Sequence, residues 1–234
     1  MGDDQAGPSG SAACSCATEL RPLCPVRRVV ARRMAEAWRT IPAVTLHRSV
    51  SFASLLAARE GLVTPEGTRP AIDLLLAVLV GRALVEHDLL NGSWVEEQRA
   101  VLIHPHRHLA LAVDTRRGLT AVVLRDADRR GLAELNRDFV SMVDRARSGR
   151  SLLTDLSDAT FTLTNLGALG VDTFDPIITP PQSGVLGIGA IQPPPSRERS
   201  ATLSLTFDHR VLDGAEGARF LRTLAGLINA SEFR

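Results

Sequence analysis

The stretch "AIDLLLAVLVGRALVEH", residues 71–87, limits what this chain can fold into more than any other. Wound as a helix over roughly 70 to 87, it is apolar nearly all round and leaves no face for water, so it must be enclosed. A bilayer would enclose it, but Asp73, Arg82 and Glu86 fall within it, and so charged a 17-residue run is too short to span one. The rest of the chain must build the enclosure, and 234 residues suffice for one large domain with a sizeable core.

The material for it is visible along the sequence. "VRRVVARRMAEAWRT" reads as a basic helix that stops near Ile41 and Pro42. "VTLHRSVSF" alternates like a strand, and further strands are expected at "AVLIHP", "LALAVDT", "LTAVVLRD", "ATFTLTN", "SGVLGIGAI" and "ATLSLTF". Leu132, Leu135, Phe139, Met142 or Val143 and Ala146 mark an amphipathic helix. Helices and strands mix without regular alternation, which predicts an α+β fold with helices on one side of a sheet. Residues 1–20, rich in Gly, Ser, Ala and Asp, are expected to be a disordered leader, and 21–234 a single domain.

Charge and composition remove several functions. A formal net charge of +1 gives no electrostatic reason to expect a nucleic-acid or membrane partner. "MGDDQAGPSGSAACSC" lacks the basic and apolar parts of a secretory signal, and Cys14, Cys16 and Cys24 do not make a disulfide framework, so a cytoplasmic protein is expected. All 27 basic residues are arginine. Without lysine the chain has no Schiff-base amine, no phosphate-loop lysine and no attachment point for a lipoyl or biotinyl group.

The junction "SLTFDHRVLDGAEGARF", residues 204–220, carries the most suggestive chemistry. Leu203, Leu205 and Phe207 alternate with Ser204 and Thr206, and His209 continues the apolar phase, so its ring is expected to point inward. Gly217, Leu221, Leu224 and Leu227 or Ile228 then recur at helical spacing, and Asp213 with Glu216 reads as a capping box. A core histidine and a helix cap account for everything except a titratable ring aimed at the interior.

Other motifs are weaker. His104, His106 and His108 in "HPHRH" alternate as zinc ligands on one strand face would. With no cysteine nearby, Glu97 as the nearest carboxylate in sequence and Pro105 between them, solvated edge histidines are the expectation. "GIG" at 187–189 lacks a third glycine and is read as a tight strand passage, and "NGS" at 91–93 as a turn. Thr160, Thr162 and Thr164 put three hydroxyls on one face of a strand. Nothing in the spacing links Thr164 to His209.

"HLALAVDTRRGLTAVVLRDADRRGLAELNRDFV", "FTLTNLGALGVDTFDPIITPPQSGVLGIGAIQ" and "LSLTFDHRVLDGAEGARFL" together resemble the catalytic domain of the dihydrolipoamide acyltransferases of 2-oxoacid dehydrogenase complexes. The resemblance runs from about Pro22 to about Ile228. Its most specific element is "DHRVLDG", similar to the His-x-x-x-Asp-Gly motif shared with chloramphenicol acetyltransferase. It implies a chloramphenicol-acetyltransferase-like mixed sheet with helices packed on it, a homotrimer, and acetyl-CoA as co-substrate, with neither covalent lipoyl group nor metal. His209 would be the general base at a subunit interface, Asp213 its support, and Thr164 of a neighbouring subunit the hydroxyl donor to the oxyanion. Asn165, Pro180 and Ser183 would contact the acyl-CoA.

The chain also departs from that family. Lipoyl and subunit-binding domains are not seen, the family's "PH" after the first helix is Pro42-Ala43, and its apolar C-terminal tail is replaced by "INASEFR". These departures predict a free-standing acyltransferase with a hydroxyl acceptor, on a small molecule or a carrier-protein-bound intermediate, of the kind met in tetronate polyketide assembly. The alternative is a core subunit of a 2-oxoacid dehydrogenase complex that acts on dihydrolipoyl groups of another chain. A catalytically idle trimeric scaffold is disfavoured by the presence of His209, Asp213 and Thr164.

Overall fold

The computed structural model describes residues 18–64, 67–115, 118–192 and 199–233. In chain order its elements are α1 (Pro25–Thr40), β1 (Ala43–Ser51), α2 (Ala53–Gly61), α3 (Ile72–Glu86), β2 (Gly92–Val95), β3 (Ala100–Ile103), β4 (Leu109–Thr115), β5 (Gly118–Leu124), α4 (Leu132–Arg147), β6 (Phe161–Asn165), β7 (Gly184–Ile188), β8 (Ser200–Asp208) and α5 (Gly214–Ala230). Six strands form one mixed sheet in the order β1-β8-β7-β6-β4-β5, while β2 and β3 make a separate hairpin. β6 runs parallel to β4 and β7, and the other neighbours are antiparallel.

The enclosed helix is α3. Every residue from Leu74 to Gly81 is buried, and the helix packs against α4, α5, β4 and β6. α4 leans on β4 and β5, and α5 on β1 and β8, so the sheet carries its helical layer as the mixed pattern predicts. Gly217 lets α5 approach closely, since a methyl there would press on Phe207 and Leu46. α1 stands apart. Of its residues only Ala37 is buried, and Val26, Val29, Val30 and Trp38 are exposed.

Two elements lie outside the periodic reading. α2 is nine residues long with Leu55 alone buried, too brief for a helical period to show, and it is fastened by Phe52 and Leu55. β2 begins in the "NGS" segment: Gly92 and Ser93 pair with β3, and Asn91 is enclosed, its amide donating to the carbonyls of His104 and His106. Most of the expected leader, residues 1–17, lies outside the described residues, and residues 18–20 are exposed and without regular structure. No helix among the described residues is long and apolar enough to cross a membrane.

β8 sits between β1 and β7, and every residue from Leu203 to Asp208 is buried. Leu205 and Phe207 face the helices, so Ser204 and Thr206 face the opposite side, where Ser204 Oγ meets His47 Nδ1 at 2.9 Å and Thr206 Oγ1 meets Thr45 Oγ1 at 2.8 Å. The segment 171–178 crosses this second face, with the Phe174 ring over Gly187 and the Asp172 carbonyl against Gly189. The "GIG" run is thus a tight passage, as its sequence predicts. A methyl group on Gly189 would run into the Asp172 carbonyl, a backbone atom that cannot swing away. Gly189→Ala is expected to cost about 3 kcal/mol or more, as overpacking against main chain does, read as the shift in urea midpoint. Unchanged stability would show that the crossing segment is not anchored there.

Candidate active site

The residues singled out by sequence fall at two ends of the sheet. β8 ends at Asp208, paired with Ala43 of β1, and the chain turns at once, with the Val211 and Leu212 amides donating to the Asp208 carbonyl. His209 is therefore in a turn. Its amide donates to Pro42 O at 3.0 Å, its ring lies 6.0 Å from that of Phe207, and it is exposed in the single chain. The inward ring expected from alternation is corrected here: the strand stops one residue short, and beyond the last pair the period of two no longer holds.

Asp208 is the buried member of the junction, at 2% exposure. Its carboxylate accepts from the Arg210 amide at 3.0 Å and from Arg210 Nε and Nη2 at 3.0 and 2.7 Å, a fork that closes the turn around His209. The same bond, against the penalty of burial, holds the Arg210 guanidinium above its ordinary pKa. Arg210 also lies over the Trp94 ring at 5.4 Å and 3.4 Å from Glu96, which ties the turn to the β2–β3 hairpin. Asp213 caps α5 as its spacing predicts: its carboxylate accepts from the Glu216 amide at 3.0 Å, and Glu216 Oε2 accepts from the Asp213 amide at 2.9 Å.

Along the β6 segment the three threonine hydroxyls separate by role, with Thr160 toward the His209 end of the sheet and Thr164 at the other. Thr160 donates to Asn91 Oδ1 and Thr162 to Gln182 Oε1, both at 2.6 Å. Thr164 is half-buried, and its hydroxyl has no partner among the described residues. Asn165 is committed within the chain, donating to Asp73 Oδ1 at 2.6 Å and accepting from the Gly167 amide at 2.8 Å. Burial raises the Asp73 pKa, and the Asn165 bond partly offsets it. Ser183 is 1% exposed and donates to Gly92 O at 2.8 Å, so its hydroxyl serves the interior, in contrast to the expected acyl-CoA contact. Pro180 is exposed at the turn before β7.

Thr164 pairs with Gly187, Gly187 with Ser204, and His209 lies five residues further on. Two strand spacings of about 4.8 Å and five residues of about 3.3 Å put Thr164 and His209 roughly 19 Å apart, at opposite ends of one sheet. A single chain cannot bring both to one carbonyl.

Each end has its own cavity. One of 430 Å³ is lined by Asp73, Asn165, Leu169, Phe139 and Val143 beside the Thr164 end. The other, of 300 Å³, opens beside Pro42, walled by Trp38, Ile41 and Ile177, with Thr45, Thr206 and His47 among its lining. His47 Nε2 there meets Asp175 at 3.1 Å while Nδ1 meets Ser204. The sequence reading did not single out His47 or Asp175, because 128 positions separate the two residues and the loop 171–178 joins them only in the fold.

Asp208→Ala would leave the Arg210 guanidinium partly buried with Glu96 as its remaining acid. The expected loss is about 2 kcal/mol or more in urea unfolding, the cost of orphaning one member of a buried pair. Unaltered stability would mean that the fork does not hold the His209 turn.

The chain matches the model for the 2-oxoacid dehydrogenases acyltransferase (catalytic domain) over residues 16–233. It is 36% identical over 214 residues to a dihydrolipoyllysine-residue acetyltransferase component of the acetoin cleaving system of Bacillus subtilis, covering 87% of this chain and 53% of that protein. The chain thus spans about half the length of this curated relative. Among solved structures, dihydrolipoamide acetyltransferase from Azotobacter vinelandii superposes with a TM-score of 0.86 at 27% identity, over 96% of this chain and 97% of that one. A chloramphenicol acetyltransferase superposes at 0.56 with 9% identity, over 84% of this chain and 94% of that one, a likeness of fold. The chain belongs to the catalytic-domain family of the 2-oxoacid dehydrogenase acyltransferases.

Proposed function

We propose that the protein transfers an acyl group between coenzyme A and a dihydrolipoyl thiol carried on another chain, at a site shared between two copies of itself. The observation that carries this reading is the split geometry: an exposed His209 at one end of the sheet and an unpartnered Thr164 hydroxyl roughly 19 Å away at the other. A neighbouring copy in a cyclic trimer would unite them, and the exposed Val26, Val29, Val30 and Trp38 of α1 offer apolar surface for such assembly. None of these 234 residues is a lysine to which a lipoyl group could be attached.

In the assembled site His209 takes the proton from the acceptor thiol as sulfur attacks the thioester carbonyl carbon. Thr164 donates its hydroxyl hydrogen to the oxyanion. The tetrahedral intermediate collapses by breaking the carbon–sulfur bond to coenzyme A, and the departing thiolate recovers the proton from His209. Asp208 and Arg210 hold the turn that aims the ring, and Asp213 fixes the helix that follows. In the reverse direction the same groups exchange roles.

A hydroxyl acceptor is the expectation from sequence. The relatives' names favour the lipoyl thiol. What favours the hydroxyl reading is the cavity beside Pro42, whose apolar walls and the polar groups Thr45, Thr206 and His47 suit an amphipathic small molecule.

His209→Ala is expected to lower acyl transfer by about 10³-fold or more without unfolding, and Thr164→Val to lower kcat by about 10²-fold. Mixed trimers of the two inactive variants should regain activity at about a quarter of sites, since a cyclic arrangement pairs each His209 with a neighbour's Thr164. No recovery in verified mixed trimers, or a fully active monomer in light scattering, would refute the shared site. The acceptor is settled by acetyl-CoA consumption with dihydrolipoamide against a panel of small hydroxyl compounds. Turnover confined to the hydroxyl compounds would overturn the thiol reading.

A further inference from the structure

The "HPHRH" segment finds a carboxylate that its sequence neighbourhood does not contain. β4 and β5 pair from Leu109 against Leu124, and the pairing continues one step outward, where the Ala127 amide donates to Arg107 O at 3.1 Å. Asp126, in left-handed conformation with φ 49°, thereby turns toward the histidines. His106 Nδ1 lies 2.9 Å from Asp126 Oδ1, His108 Nδ1 lies 3.8 Å from the same oxygen, and the two rings stack at 5.2 Å. The Asp126 amide donates to His108 Nδ1 at 3.1 Å, so an ion bound at that nitrogen would take its lone pair over from the amide. His104 is engaged elsewhere, with Nε2 on Ser93 Oγ at 2.8 Å.

We propose that His106, His108 and Asp126 form a binding site for one divalent ion of the zinc class, which fastens the entry of β4 to the exit of β5. Ligand atoms of all three residues lie within 4.8 Å of one another. Bonds of about 2.0–2.2 Å in tetrahedral geometry require separations near 3.4 Å, so changes in separation of about half an ångström to about 1.4 Å complete the site. Two imidazoles and one carboxylate suit zinc, cobalt or nickel better than calcium or magnesium, which prefer an all-oxygen set. The nearby cations are tied off: Arg125 donates to Thr154 O and Asp158, while Arg129 and Arg107 turn to Asp128. His106 is half-exposed, which leaves an entry path and room for a water as fourth ligand. The transfer reaction proposed above draws on none of these residues, so the ion would act on stability.

The test is a cobalt titration of metal-stripped, full-length protein in which Cys14, Cys16 and Cys24 are replaced by serine, because thiols compete for such ions. One cobalt per chain is expected, with visible absorption, displacement by zinc, and a rise in Tm at about a tenfold excess of ion. His106→Ala and Asp126→Asn should each weaken binding about tenfold or more and abolish the Tm rise, with circular dichroism showing that both stay folded. His47→Ala, which removes the other His–Asp pair, should bind as the parent does. Absence of stoichiometric binding, or binding that survives both His106→Ala and Asp126→Asn, would overturn the site.

Discussion

β8 has no solvent side, and the rest of the molecule is arranged around that fact. A strand covered on both faces in the middle of a sheet must place every polar side chain against a partner, or lose roughly 1–3 kcal/mol for each left unmatched. Ser204, Thr206 and Asp208 are all buried, and each is answered: by His47, by Thr45 and by Arg210. Two of those partners come from β1, which locks β1 to β8 by side chain as well as main chain. The third comes from the turn itself, so the bonds that satisfy the end of the strand also shape the peptide that carries His209. Stability of the core and position of the proposed base are therefore one problem.

Much of this was legible in sequence, and the exceptions share a cause. α4 and α5 show their helical periods, α3 shows an unbroken apolar run, and the Asp213–Glu216 box was readable because a cap is a local device spanning four residues. Local devices write themselves into local sequence. The direction of His209 was not readable, since it depends on the pairing of Asp208 with Ala43, 165 positions away, ending the strand one residue early. Similarly, Ser204 and Thr206 look like a solvent face until β8 is known to be central. Asp126 could not be joined to His106 without the register of β4 and β5. Thr164 differs from Thr160 and Thr162 only by lacking a partner, a property of the fold and not of its residue type.

The proposed shared site has a physical logic beyond bringing two residues together. In the single chain His209 is wetted, and the oxyanion donor lies at the far end of the sheet, so an acyl thioester bound at either end meets only half of the machinery. Assembly on the proposed plan would cover the imidazole, deliver the Thr164 hydroxyl and exclude water in the same event. Removing water strengthens the hydrogen bond to the developing oxyanion, and it also withdraws the competing nucleophile that would hydrolyse the thioester. An enzyme that keeps its base and its oxyanion donor on separate copies is thereby protected from wasting acyl groups before it is assembled. The exposed apolar residues of α1 are, on this view, the part of the sequence that links oligomerisation to catalysis.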